Sequence, residues 1–165
     1  MRIRRILAVT VSLAFFFILS FNFRASAARE DEPPIRSDIA MLYEVSSGET
    51  IYEKNIRQKA YPASTTKIMT ALLALENCEM DEPVTVTRAA LNTVSPGSSI
   101  AGLQNGEVLT MYEMLECLLV ASGNDAASVI AAHIGGTVDQ FVEMMNERSD
   151  ELGCTGTHYT NPSGL

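Results

Sequence analysis

The sequence is poor in the residues that build metal centres and disulfide frameworks. It contains two histidines, His133 and His158, and three cysteines, Cys78, Cys117 and Cys154. The cysteine number is odd and the spacing matches no zinc motif, so neither a disulfide framework nor a metal site is expected. Cys117 lies in an apolar run and is predicted to be a buried free thiol. No pattern indicates a cofactor.

Basic residues are also scarce beyond the N-terminus. Of the 12 lysines and arginines, the four arginines at positions 2, 4, 5 and 24 precede residue 28, which leaves eight basic against 20 acidic residues and a net charge of −12. Such a chain is not expected to bind nucleic acid. The roughly 138 residues that follow residue 27 can form one core but are few for two domains.

Residues 1–27 have the pattern of a secretory signal peptide. A basic start precedes an apolar stretch over residues 6–23, and Ala-Ser-Ala at residues 25–27 has the form of a signal peptidase site. The alternative is an uncleaved membrane anchor, because the apolar stretch is near the lower length limit for a span. Either interpretation places the rest of the chain on the outer side of a membrane.

Strand signals are short and widely spaced in the remaining chain. Residues 28–37 predict an irregular leader. Residues 39–45 and 50–54 predict a β-hairpin around a Ser-Ser-Gly-Glu turn. Further extended segments are predicted at residues 84–87 and 103–108.

Helical periodicity dominates the second half of the chain. The predicted helices cover residues 66–75, 110–121, 126–134 and 137–152. Thr110 with Glu113, and Thr137 with Gln140, predict capping boxes for the second and fourth helices. The third helix is predicted to be capped by the side chain of Asn124 or Asp125.

Ser64 and Lys67 form the first chemically informative pair. They stand three residues apart at a predicted helix start, so Lys67 can reach the Ser64 hydroxyl on the same helix face. A partly desolvated lysine has a lowered pKa and can act as a base. The N–H groups of a helix start can also stabilise an oxyanion. The pair predicts a nucleophile with its own base, although Ser-x-x-Lys alone is a common pattern.

Ser122 and Asn124 lie in a Ser-Gly-Asn turn between two predicted helices. Taken alone, the turn is explained by an interhelical connection with an N-cap. Polar groups held between apolar helices need hydrogen-bond partners, however, and Lys67 together with a substrate amide would provide them. The hypothesis is that both pairs form one site.

These segments resemble a known family, the low-molecular-mass penicillin-binding proteins, which are serine D-alanyl-D-alanine carboxypeptidases. Pro-Ala-Ser-Thr-Thr-Lys-Ile-Met-Thr at residues 62–70 is similar to their nucleophile motif, and Ala-Ser-Gly-Asn-Asp-Ala at residues 121–126 to their second motif. Residues 42–48 and 160–165 match the family as well. The resemblance implies an α/β (α+β) fold of the beta-lactamase/transpeptidase type, in which helices flank an antiparallel sheet, with residues 38–165 as its N-terminal part.

The resemblance also implies roles for individual residues. Ser64 would attack the carbonyl of the penultimate D-alanine in a peptidoglycan stem peptide, and Lys67 would take its proton. Ser122 would relay a proton to the leaving D-alanine, and Asn124 would bind the substrate amide and orient Lys67. Beta-lactam antibiotics would acylate the same serine. The resemblance also implies that the protein is exported to the cell envelope. Peripheral association with the membrane is compatible with that location.

One family motif does not occur in the sequence. Lys-Thr-Gly is absent, and no lysine follows Lys67. In the family this triad binds the terminal carboxylate of the substrate, and its strand supplies the second oxyanion donor. The expectation is therefore a chain truncated before that motif and before the C-terminal strands of the sheet.

Several other functions fit parts of the pattern. A D,D-endopeptidase that cleaves peptide crosslinks would have similar motifs, and a truncated remnant would be non-catalytic. A class A beta-lactamase shares the Ser-x-x-Lys logic, but its Glu-x-x-Leu-Asn box does not occur. A structural or adhesion module would leave the motif at residues 62–67 unexplained.

Overall fold

The computed structural model describes residues 34–165. The predicted signal peptide and most of the predicted leader lie outside the described residues, and residues 34–39 form neither helix nor strand. The described residues divide after Gln58 into two compact units, residues 34–58 and Lys59–Leu165. Within residues 34–165, no helix combines the length and apolarity that a membrane span requires.

The first unit contains the predicted β-hairpin. Strands β1 (Ala40–Glu44) and β2 (Glu49–Lys54) pair antiparallel, with a bulge between Leu42 and Tyr43. Hydrogen bonds from Ser47 and Ser46 hold the Glu44 carboxylate in the turn and lower its pKa to about 2. The hairpin prediction is confirmed, with its strand boundaries shifted by one residue.

The second unit is mainly helical. A 3₁₀ turn at Ala63–Thr66 leads into helix α1 (Lys67–Asn77). The remaining helices are α2 (Arg88–Leu91), α3 (Met111–Leu119), α4 (Asn124–Gly135) and α5 (Val138–Glu151). Strands β3 (Pro83–Thr85) and β4 (Val108–Thr110) form an antiparallel pair. Helices and antiparallel strand pairs agree with the predicted α+β class.

Helix α4 lies at the centre of this unit. Every residue from 124 to 131 is buried, and four of these eight are alanine or serine, whose small side chains allow neighbouring elements to approach closely. One apolar cluster joins α4 to α1, α3 and β3 through residues that include Leu118, Ile130 and Val84. A second cluster joins α4 and α1 to α5 through Leu73 and Phe141. The core therefore fixes the ends of α1 and α4 relative to each other.

The helix-start predictions met different outcomes. The capping box of Thr110 and Glu113 is present. The box predicted for Thr137 and Gln140 is only half formed: Thr137 accepts the backbone N–H of Gln140 at 3.1 Å and so caps α5, but the Gln140 Oε1 accepts the Thr137 hydroxyl at 3.0 Å instead of the Thr137 backbone N–H. The predicted cap of the third helix is wrong: α4 begins at Asn124, and its N-cap is Gly123 without a side-chain bond.

Two further expectations need correction. The extended segment predicted at residues 103–108 is wrong, because the strand is β4 at Val108–Thr110, after a turn in which Gly106 has a φ of 92°. Cys117 is a free thiol, as predicted, but it is only half-buried. It lies at the edge of the apolar cluster, since the helix face directed to the core carries Met114 and Leu118 instead.

Candidate active site

The structure brings Ser64 and Lys67 together at the start of α1. Ser64 lies in the 3₁₀ turn and is exposed, whereas Lys67, the first residue of α1, is only 3% exposed. The Lys67 Nζ donates a hydrogen bond to the Ser64 Oγ at 3.3 Å. Burial lowers the pKa of Lys67, because desolvation disfavours the ammonium form. A buried amine with a lowered pKa beside an exposed hydroxyl is the arrangement that nucleophile activation requires.

Ser122 joins this pair from the connection between α3 and α4. Its Oγ lies 3.0 Å from the Ser64 Oγ and donates a hydrogen bond to it, although the two residues are 58 positions apart in the sequence. The Ser64 hydroxyl oxygen thus contacts an amine on one side and a second hydroxyl on the other. Both possible proton-exchange partners of the Ser64 hydroxyl therefore lie within hydrogen-bond distance of its oxygen.

Backbone strain is concentrated at the same place. Among residues 34–165, three non-glycine residues have positive φ: Asn55, Ala63 at 49° and Ser122 at 52°. Asparagine tolerates this conformation, but in alanine and serine it costs about 1–2 kcal/mol. Two of the three strained residues therefore flank or form the Ser64 contact, as is common where a site is held in a working geometry.

Asn124 follows Ser122 by two residues. It is buried and is the first residue of α4. Its backbone N–H donates to the Ser99 carbonyl at 2.9 Å. No hydrogen bond joins the Asn124 side chain to Lys67 in the described part of the chain. The hydrogen bond that orients the Lys67 amine is made by a different residue.

That contact is the backbone carbonyl of Ser163. The Lys67 Nζ donates to the Ser163 oxygen at 3.1 Å, and one helical turn further on the Thr70 Oγ1 donates to the Pro162 oxygen at 2.6 Å. Both bonds are buried. The segment at residues 160–165 matched the family in sequence, but sequence reasoning gave it no role at the site.

Asn161 shapes this segment into a turn. Its Oδ1 accepts the backbone N–H groups of Ser163 at 3.0 Å and Gly164 at 2.6 Å, and its Nδ2 donates to the Leu165 carbonyl at 2.8 Å. Gly164 has a φ of 80°, and a Cβ there would collide with the Ala63 carbonyl. An asparagine followed by Pro-x-Gly is a turn signal that could have indicated this structure from the sequence.

Asp125 holds the loop at residues 101–103 against the start of α4. Its carboxylate accepts the backbone N–H groups of Ala101, Gly102 and Leu103 at 2.9–3.0 Å. Gly123, just before α4, has no room for a side chain, since a Cβ would lie 2.7 Å from the Asp125 Oδ1. The Ser122–Asn124 turn is therefore fixed by the loop at residues 101–103 rather than by a helix cap.

Comparison with known proteins places this geometry in context. The family model described as D-alanyl-D-alanine carboxypeptidase matches residues 26–165. The chain belongs to the D-alanyl-D-alanine carboxypeptidase family. It is 36% identical over 159 residues to the D-alanyl-D-alanine carboxypeptidase DacF of Bacillus subtilis. The aligned region covers 90% of the chain and 40% of DacF. With DacD of Escherichia coli it shares 35% identity over 172 residues, covering 98% of the chain and 44% of DacD.

Solved structures of the family have the same fold. The D-alanyl-D-alanine carboxypeptidase of Mycobacterium tuberculosis superimposes with a TM-score of 0.76 at 32% identity, covering 84% of the chain and 51% of that structure. For penicillin binding protein 5 of Haemophilus influenzae the TM-score is 0.73 at 32% identity, with 82% and 41% coverage. The chain thus spans roughly two-fifths to one half of the length of these relatives.

Proposed function

We propose that the protein is a serine D-alanyl-D-alanine carboxypeptidase that removes the terminal D-alanine from peptidoglycan stem pentapeptides. The observation that carries this proposal is the position of the Ser64 Oγ between the Lys67 Nζ at 3.3 Å and the Ser122 Oγ at 3.0 Å. Family membership supports the substrate class, since the relatives are named for this activity.

Acylation follows from these contacts. Neutral Lys67 takes the proton of the Ser64 hydroxyl as the Ser64 oxygen bonds to the carbonyl carbon of the penultimate D-alanine. The peptide C–N bond then breaks as the Ser122 hydroxyl donates its proton to the nitrogen of the departing D-alanine. The Lys67 ammonium then returns a proton to Ser122. The products are free D-alanine and an acyl ester on Ser64.

Two further groups would bind the substrate during this step. Within residues 34–165 no hydrogen bond occupies the Ser64 backbone N–H, which leaves it available to the developing oxyanion. One such donor contributes about 3–4 kcal/mol of transition-state stabilisation in comparable enzymes. The Asn124 side chain would bind the substrate amide. Water would then hydrolyse the ester and release the shortened peptide.

The same serine would react with beta-lactam antibiotics, because their strained amide occupies the place of the scissile peptide bond. The substrate lies in the cell envelope, so the protein would be exported by the signal peptide at residues 1–27 and act on the outer face of the cytoplasmic membrane. Peripheral membrane contact is compatible with this location. Nucleic acid is not a partner in this proposal, given the excess of acidic residues.

The proposal is tested by analysing products from two substrates with the full chain. A stem pentapeptide should release free D-alanine, and the release should be lost in Ser64→Ala but kept in Ser47→Ala, which removes an exposed hydroxyl from the hairpin turn. Cleavage of a crosslinked peptide dimer without D-alanine release would instead identify a D,D-endopeptidase. No reaction with either substrate would identify a non-catalytic remnant, in keeping with the absence of Lys-Thr-Gly from the 165 residues.

A further inference from the structure

Three side chains with metal-binding atoms meet at the end of α1 that is remote from Ser64. Cys78 follows the last residue of α1, Glu82 precedes β3, and His133 lies in the last turn of α4. Their ligand atoms all lie within 4.8 Å of one another, and the His133 Nε2 is 2.9 Å from the Glu82 Oε1. Helix α1 has 11 residues and is about 16 Å long, so this cluster is separate from the acylation site.

The donor set has the chemistry of a zinc site. Thiolate sulfur, imidazole nitrogen and carboxylate oxygen are the three ligand types that Zn²⁺ uses, at bond lengths that place tetrahedral ligand atoms about 3.3–3.6 Å apart. The present separations reach that spacing with small side-chain movements. The His133 and Glu82 side chains are 25% and 39% exposed, so water has access to a fourth position.

The backbone holds the ligands in place without a metal. The Cys78 N–H donates to the Ala74 carbonyl at 3.0 Å, and the Glu82 carbonyl accepts the Met111 N–H at 2.9 Å. The Glu82 carboxylate lies 2.9 Å from the His133 ring, so the cluster already contains a negatively charged oxygen ligand that favours a cation. His133 lies at a helix C-terminus, which also favours positive charge.

We propose that Cys78, Glu82 and His133 bind one zinc ion, with water as the fourth ligand. Binding forms bonds to the Cys78 sulfur, the Glu82 carboxylate and the His133 Nε2, and the thiol proton leaves to solvent. The ion ties the end of α1 to the segment before β3 and to α4, so its role is to stabilise the fold. The sequence did not indicate this site, because His133 is 51 residues from Glu82 and the spacing matches no zinc motif.

Cobalt provides the direct test, since Co²⁺ replaces zinc and reports its ligands in its absorption spectrum. The full chain is freed of metal with a chelator and titrated with Co²⁺. One equivalent should produce a thiolate charge-transfer band and the visible bands of tetrahedral cobalt, and one equivalent of Zn²⁺ should remove them. The absence of the charge-transfer band in the unsubstituted chain would overturn the proposal.

Matched variants assign the ligands. Cys78→Ser should lose the charge-transfer band, whereas Cys154→Ser, which removes an exposed thiol, should keep it. His133→Gln retains the thiol and should weaken Co²⁺ binding by more than about 10-fold. Loss of a residue that only hydrogen-bonds to a metal ligand already weakens binding by about 10-fold or more. A band that survives Cys78→Ser, or an affinity unchanged in His133→Gln, would contradict the site. Circular dichroism of each variant shows whether the fold is kept, and His133→Gln decides the outcome if Cys78→Ser does not fold.

Discussion

The amine of Lys67 lies 3.1 Å from the carbonyl oxygen of Ser163, a residue 96 positions further along the chain. Its second oxygen contact is the Ser64 hydroxyl. Both partners are neutral, so they orient the amine without the strong preference for the ammonium form that a carboxylate would impose. The contact therefore positions Lys67 while burial keeps its pKa low, and both effects suit a base.

Acylation of Ser64 should become faster as pH rises. Because only the neutral amine of Lys67 can accept a proton, the rate should increase through its lowered pKa and then level off. Lys67→Arg should slow acylation about 10²–10⁴-fold, since a guanidinium stays protonated. Stopped-flow reaction with a fluorescent penicillin at several pH values measures both effects. Lys59→Arg, which changes an exposed lysine, is the control, and equal rates for the two variants would refute the assignment.

Gly164→Ala should damage both the fold and the site. A Cβ at this position collides with the Ala63 carbonyl, next to the nucleophile, in addition to the cost of a positive φ. The matched control is Gly97→Ala, where φ is 76° but a Cβ meets open space. Gly97→Ala should lower the free energy of unfolding by about 1–2 kcal/mol and Gly164→Ala by more than about 3 kcal/mol. Urea denaturation compares them, and equal losses would mean that the close approach has no energetic consequence.

Asn161 should control acylation without contacting the substrate. Asn161→Ala removes the acceptor for the Ser163 and Gly164 N–H groups, so the Ser163 carbonyl loses its fixed position against Lys67. We expect a loss of about 1–3 kcal/mol in the free energy of unfolding and slower acylation with an altered pH profile. Asn161→Asp keeps the acceptor oxygens and loses only the amide donor, which bonds the Leu165 carbonyl and, at 3.4 Å, the Thr160 Oγ1, so it should retain most of the rate. If the acylation rate has the same pH dependence in both variants and in the unsubstituted chain, Asn161 has only a structural role.

Asp125→Ala should be among the most damaging changes outside the catalytic groups. It leaves three part-buried N–H groups, those of Ala101, Gly102 and Leu103, without their acceptor. The expected loss is about 2–4 kcal/mol in the free energy of unfolding. Asp81→Ala, at an exposed acidic residue, should change stability by less than about 0.5 kcal/mol. Thermal denaturation of the two variants decides whether the loop anchor is as important as its hydrogen bonds indicate.

Local patterns predicted the parts of this protein that local interactions determine. The hairpin around Gly48, the cap at Thr110 and the Ser64–Lys67 contact each depend on residues within a few positions of one another. That Ser122 belongs to the same site as Ser64 was a hypothesis from the polar turn between two apolar helices, and the structure places the two hydroxyl oxygens 3.0 Å apart.

Contacts between distant segments were beyond sequence reasoning. Asp125 follows Asn124 at a helix start, and its residue type favours a cap, yet its carboxylate binds a loop more than 20 residues earlier in the chain. The Ser163 carbonyl has no side-chain signature at all, because any residue supplies a backbone oxygen. Cys78 and His133 meet only because the core sets α1 against α4. Such contacts depend on the packing of the whole unit.

The most direct test of Ser64 as an activated nucleophile is whether it forms a covalent adduct with a beta-lactam. The full chain is incubated with benzylpenicillin, digested and analysed by mass spectrometry. We expect one intact penicillin on the peptide that contains Ser64, formed more slowly in Lys67→Arg and not formed in Ser64→Ala. A folded chain that acquires no adduct, or acquires it on another residue, would contradict the claim that Lys67 and Ser122 activate Ser64.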